Sequence, residues 1–200
     1  MSFEIKKVST FSEVENTHKF YCDIFKGVVD TDNPVYSVEQ WKDRMQINND
    51  FMLYVSYNDK VIGICFARLE NQQTMIIGPL AIAKEHRGQG FAKKLMTELE
   101  QNAIKHSIKY SKLGAVKEAN DFYYKLGYKG SLLIQSEHHT INELLRLSDG
   151  HNVNFTRVYD DKINQVCLDV SQVDDELEQK YLDEFPGAYT MMLFEKTLIN

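Results

Sequence analysis

Arg87-Gly88-Gln89-Gly90-Phe91-Ala92 decides the reading of this chain, because of what lies on either side of it. Before it runs an apolar, strand-like segment, Thr74 to Ala83 (TMIIGPLAIA). After it, Phe91, Leu95, Leu99 and Ala103 recur every fourth position, with Ala92, Met96 and Ile104 beside them, which predicts an amphipathic helix. A strand that turns through two glycines into a helix N-terminus aims several unpaired backbone N–H groups at one point. The helix dipole adds about half a positive charge there, so the turn suits a pyrophosphate. Gly88 and Gly90, lacking Cβ, leave room for phosphate oxygens to approach the backbone.

The residues around the turn separate the phosphate-binding motifs. A nucleoside triphosphate loop needs Gly-Lys followed by Ser or Thr, and here Phe91 follows Gly90. A dinucleotide fingerprint needs a small residue three places after the second glycine, where this chain has Lys93. The pattern Arg-x-x-Gly-x-Ala after Leu80-Ala81-Ile82-Ala83-Lys84-Glu85-His86 instead resembles the acyl-CoA site of the GNAT superfamily of N-acyltransferases. A second block, Ala119-Asn120-Asp121-Phe122-Tyr123-Tyr124-Lys125-Leu126-Gly127-Tyr128, looks like that family's A-x-x-F-Y-x-K-x-G-F/Y signature. The clear matches cover roughly residues 74–130, and the N-terminal part fits by order of elements. The resemblance implies acetyl-CoA as acyl donor, held by Leu80, Ala81, Ile82, Arg87, Gly88, Gln89, Gly90, Phe91, Ala92 and Lys93.

Composition bounds the rest. The chain has 200 residues, 43% of them apolar and 12% aromatic, enough for a sizeable core and too apolar for global disorder. No apolar run reaches the length of a membrane span, and the N-terminus lacks the order of a secretory signal. Cys22, Cys65 and Cys167 are few and scattered, which suits free thiols in the cytoplasm better than a disulfide framework. His138-His139 and His151 lack companion ligands at metal-site spacing, so no metal is expected. A net charge of −6 argues against nucleic acid as a partner. That charge is uneven: residues 131–200 carry a net −8 and residues 1–130 a net +2. Lys84, Lys93 and Lys94 near the turn suit a polyanion. The division expected is a GNAT catalytic core over 1–130 and an acidic α/β subdomain over 131–200.

Along the chain, Phe3 to Val8 reads as a strand. A helix follows from a Ser9 or Thr10 cap to Phe25, with Phe11, Val14, His18, Tyr21 and Cys22 facing inward. Lys26 to Tyr36, with Asp30, Asp32, Asn33 and Pro34, reads as a loop, and Ser37 starts a second helix to Asn48. Phe51 to Tyr57 and Val61 to Leu69 form a hairpin across Asn58-Asp59-Lys60. The Thr74 strand, the turn and its helix come next, then a strand near Lys109 to Ala115 and a helix over Glu118 to Leu126. The fold class expected is α/β (α+β): a GNAT-like mixed, mainly antiparallel sheet flanked by helices.

Residues 131–200 then read β-α-β-β-α-β, a ferredoxin-like plan. Its strands are Gly130–Ser136, 152–159, 163–170 and 189–198, and its helices 140–147 and 174–185. The alternative is that Gly130–Ser136 and Tyr189–Leu198 complete the GNAT sheet, with the elements between them inserted. Tyr189 to Lys196 does resemble the family's closing strand.

Pro79 lies inside the fourth strand, where it cannot donate to a ladder, and marks an edge or a bulge. The resemblance implies a bulge there that splays the strand, leaving N–H and C=O groups of Leu80 and Ile82 for the pantetheine amides. An N–H near Leu80 could polarise the thioester carbonyl. Ala119, Phe122, Tyr123 and Leu126 share one helix face, so Tyr123 by spacing alone is an ordinary core tyrosine. By resemblance Tyr123 is the general acid that protonates the departing CoA thiolate, a task a phenol of pKa about 10 can perform at neutral pH. No residue stands out as base; Glu70, Glu118 and Asp32 all read equally as surface carboxylates. The family's asparagine three residues before the signature alanine is replaced here by Val116.

The implied reaction is acetyl transfer from acetyl-CoA to a primary amine of a small molecule or peptide, by direct attack in a ternary complex. The alternative is a regulatory module that binds acyl-CoA without turnover, favoured by Val116 and the missing base. The acceptor, and whether the chain acts alone or as a homodimer, are not written in the sequence.

Overall fold

Thr10 starts the first helix by reciprocal bonding. Its Oγ1 accepts the Glu13 N–H at 3.2 Å while the Glu13 carboxylate accepts the Thr10 N–H at 3.0 Å, satisfying two amides that the helix itself leaves without acceptors. The same carboxylate accepts the Tyr54 hydroxyl at 2.7 Å, so the cap also fastens the helix to the sheet. The computed structural model describes residues 3–27 and 36–199. Asp30, Asp32, Asn33 and Pro34 of the expected loop lie outside the described residues.

The chain divides into two compact units, residues 1–111 with 197–200, and residues 112–196. The first holds β1 (Phe3–Lys7), α1 (Phe11–Phe25), α2 (Val38–Ile47), β2 (Met52–Tyr57), β3 (Lys60–Asn71), β4 (Thr74–Ile82) and α3 (Phe91–Lys105). Its strands run antiparallel in the order β1-β2-β3-β4. Asn58 and Asp59 join β2 to β3 with φ of +48° and +59°, the left-handed pair that a tight hairpin requires. Every residue of β2 from Met52 to Ser56 is buried, because helices cover both faces of this sheet. Val14, Tyr21 and Trp41 from α1 and α2 pack with Met52, Tyr54, Ile64 and Phe66. Leu95, Met96, Leu99 and Ala103 of α3 are all fully buried, and the Cys65 thiol lies 3.8 Å from the Met96 sulfur. Phe11, expected to face inward on α1, is 49% exposed. As the first helical residue it projects past the sheet, and Thr17, fully buried with its hydroxyl on the Glu13 carbonyl at 2.7 Å, takes the inner position.

The second unit holds β5 (Tyr110–Ala115, whose first two residues count with the first unit), α4 (Asn120–Lys125) and β6 (Lys129–Ser136). It continues with α5 (Ile141–Leu144), β7 (Val153–Tyr159), β8 (Ile163–Val170), α6 (Asp175–Glu184) and β9 (Tyr189–Thr197). Its strand order is β5-β9-β6-β8-β7. The order β9-β6-β8-β7 with all three pairings antiparallel is the split β-α-β plan expected for the tail. β9 also lies between β5 and β6. The division falls at 111/112 rather than 130/131, because β5 and α4 pack with the tail strands. Tyr123 and Tyr124 of α4 meet Phe194 at ring distances of 5.3 and 5.1 Å. Gly130 is required by the same packing: a Cβ there would overlap the Tyr124 hydroxyl.

Truncation after Ser136 removes β8 and β9, both partners of β6. We expect the shortened chain to aggregate, checked by size-exclusion chromatography; a soluble monomer of native circular dichroism would contradict this account of the second unit.

Candidate functional site

Strand β4 changes register against β3 where Pro79 sits. Cys65 pairs with Leu80 but Ala67 with Ile77, so β4 carries the extra residue of a bulge at Gly78-Pro79. Beyond the bulge, Ala83 donates its N–H to the Ile62 carbonyl at 2.8 Å. Antiparallel alternation then turns Ala81 toward β3 and the backbone groups of Leu80 and Ile82 away from it. The expectation that both residues keep their N–H and C=O groups for a ligand needs one correction. The Ile82 carbonyl accepts Nε of Arg87 at 3.1 Å and is already engaged. That bond folds the Arg87 side chain back onto the strand it follows.

The turn itself is exposed from Arg87 to Gly90, as are Lys93 and Lys94, while Phe91 is buried and Ala92 half-buried. Gly88 and Gly90 have φ of +75° and +80°, and nothing lies within 4 Å of where either Cβ would be. Glycine is therefore required by conformation, and the space over the turn is open. Gly90 is the N-cap of α3 and supplies no side-chain acceptor. The other long helices are capped by Thr10, Ser37 and Asp174 and have an acidic residue in the first turn. Helix α3 has none and carries Lys93 and Lys94 there. Amides without a capping side chain, a helix dipole and two ammonium groups suit a polyanion, so these residues fit the pyrophosphate of CoA. The Gln89 side chain reaches the Glu85 carbonyl at 3.5 Å, and Lys94 lies over the Phe91 ring at 5.6 Å. Phe3, Tyr57 and His86 escaped the sequence analysis. Phe3 packs on Phe91 at 4.7 Å, Tyr57 at 4.5 Å and His86 at 5.9 Å, pinning the start of α3 to β1 and β2.

In the second unit, the expected helix over 118–126 begins as a 3-10 turn, Lys117–Ala119, before α4. Tyr123 is 6% exposed, its ring between Phe122, Tyr128 and Phe194. Val116 is 55% exposed. Asn120, one turn before Tyr123, is only 3% exposed and its Oδ1 has no hydrogen-bond partner. Its spacing to Tyr123 (i, i+3) placed it on the inner face all along. Of the carboxylates considered as bases, Glu70 and Glu118 are exposed, and Asp32 lies outside the described residues. His139 donates its Nε2–H to the Pro186 carbonyl, 3.2 Å away, and packs on Phe185, which gives it a structural task in the turn after β6. No described helix is long and apolar enough to cross a membrane.

Residues 12–140 match the acetyltransferase (GNAT) domain family. The chain belongs to that family. A GNAT domain makes it an acyltransferase, and its fold recurs in solved structures. A putative acetyltransferase from Pyrococcus horikoshii aligns with a TM-score of 0.58 and 11% identity, over 98% of this chain and 89% of that one. The PaiA N-acetyltransferase from Thermoplasma acidophilum, solved with coenzyme A, gives 0.52 and 18%, over 85% and 100%. Diaminobutyrate acetyltransferase EctA from Paenibacillus lautus, solved with L-2,4-diaminobutyric acid and coenzyme A, gives 0.53 and 12%, over 86% and 98%. Identities this low establish the fold alone. No curated relative matches the chain in sequence.

Because Gly88 and Gly90 occupy left-handed backbone in open space, Gly88→Ala and Gly90→Ala should each cost about 1 kcal/mol of stability. Urea unfolding of each variant checks this, and an unchanged midpoint would contradict the conformational assignment.

Proposed function

We propose that this GNAT enzyme transfers an acetyl group from acetyl-CoA to a primary amine of a small molecule or peptide, by direct attack in a ternary complex. The observation that carries the cofactor reading is the α3 N-terminus, whose N-cap is a left-handed glycine and whose first turn holds lysines and no acid. In this reading the amides of the Gly88–Lys93 turn hold the pyrophosphate, with Arg87 and Lys93 adding charge. The outward N–H of Leu80 or Ile82 bonds the pantetheine arm or the thioester carbonyl. Acetyl-CoA supplies an activated acyl group whose leaving atom is sulfur. The neutral amine nitrogen forms the new C–N bond as the C–S bond breaks, and the amine proton passes to solvent. Tyr123 gives its phenolic proton to the departing thiolate and recovers one from water.

The non-catalytic alternative predicts binding without turnover. A thiol-release assay of acetyl-CoA against a panel of amines separates the two. Gly90→Glu places a carboxylate where the pyrophosphate belongs, so acetyl-CoA binding by calorimetry should be lost while circular dichroism stays native. Unchanged affinity in a folded variant would sink the cradle assignment. Tyr123→Phe should lower kcat by about 10²- to 10⁴-fold, the usual worth of a positioned acid, with little change in acetyl-CoA affinity because the ring still fills its place. A near-normal kcat would return Tyr123 to a purely packing role.

A further inference from the structure

A cleft of about 290 Å³ opens in the second unit where β5 runs into α4, walled by the start of β9 and by α6. Its volume is at the small end of ligand pockets. Asn120 lines it. This side chain is nine-tenths buried, and its Oδ1 has no hydrogen-bond partner. A buried carbonyl oxygen left without a donor costs free energy, and a ligand with an N–H to offer would remove that cost. The only cationic side chain on the wall is Lys117, and it is already committed. Its ammonium lies 2.8 Å from Asp175 and 3.1 Å from Glu178, and hydrogen bonds to these two carboxylates hold its pKa above the usual lysine value. The wall therefore keeps a surplus of negative charge. Glu178 also accepts the Thr190 hydroxyl at 2.8 Å; with about four acceptor positions on a carboxylate, it has capacity left for another donor. Met192 lies on the same face of β9 as Thr190 and adds an apolar part of the wall, soft and suited to a methylene chain.

We infer that this cleft binds a small aliphatic amine carrying a second cationic group, with one nitrogen donating to Asn120 Oδ1, the other ammonium facing Glu178, and the methylenes on Met192. The inference deepens the acetyl-transfer reading and rests on it for the meaning of the site: Asn120 stands one helical turn from Tyr123 on α4, so the bound amine would be the acceptor. The Asn120 oxygen holds the nitrogen through its N–H and takes no proton.

The probes are 1,4-diaminobutane and, as a singly charged control, butylamine, titrated into the full chain by calorimetry and supplied with acetyl-CoA in the thiol-release assay. 1,4-Diaminobutane should bind more tightly than butylamine and show the lower KM. Glu178→Gln should abolish that preference. Asn120→Ala should weaken 1,4-diaminobutane binding about tenfold, the worth of one buried hydrogen bond, and leave acetyl-CoA affinity unchanged. Asn120→Asp keeps an acceptor oxygen and should retain binding, which separates loss of the contact from loss of the fold. Weakened acetyl-CoA binding in Asn120→Ala with unaltered amine binding would assign Oδ1 to the cofactor and overturn the inference. Equal binding of both amines to wild type and Glu178→Gln would overturn it as well. If wild type binds 1,4-diaminobutane in an Asn120-dependent way yet releases no thiol with any amine, the cleft stands and the acetyl-transfer reading falls.

Discussion

The acyl-CoA site proposed for this enzyme depends on how the backbone passes from β4 into α3. A strand and a helix both consume their own N–H groups, so outward-pointing amides arise only where one stops and the other has not begun. Two residues at positive φ, Gly88 and Gly90, make that junction sharp enough. The Arg87 bond to the Ile82 carbonyl keeps the turn from swinging away from its strand. The Phe3, Tyr57 and His86 rings around Phe91 hold the helix start from the other side. Remove the left-handed backbone and the remaining features lose their common target.

The bulge in β4 serves the same end. In an uninterrupted ladder the residues on either side of Pro79 would continue one pairing register, and the extra residue breaks it. A proline inside a strand is a poor ladder member, and here that defect is placed where pairing is not wanted. The acidic α6 makes a parallel case in the second unit. Leu177, Tyr181 and Phe185 bury its inner face, while the Tyr181 hydroxyl donates to the Leu144 carbonyl at 3.0 Å. Its carboxylates are thereby spent on the surface and on Lys117.

Most strands and helices were legible in the sequence because each carries its own period and its own punctuation. Of Ser9 and Thr10 the structure uses Thr10 as the cap, and Ser37, Asn58-Asp59 and Asp174 each mark a terminus or turn by a local bond or a local φ. The glycine turn before α3 was legible for the same reason. What was not legible depends on strand order. Nothing local in Tyr189–Thr197 tells that it lies between β5 and β6. The missing partner of Asn120 Oδ1 is a property of the folded neighbourhood. Phe3, Tyr57 and His86 meet only once β1, β2 and the turn are in place.

The position of β9 also has a temporal meaning. The ribosome releases β5 and β6 well before the strand that fits between them, and β6 can pair with β8 while its other edge stands empty. The sheet of the second unit is thus closed by a segment made after both of its neighbours, and its assembly is dominated by contacts distant in sequence, the kind that form slowly. Until residues 189–197 arrive, the nascent chain holds a half-dressed strand rich in leucine and isoleucine.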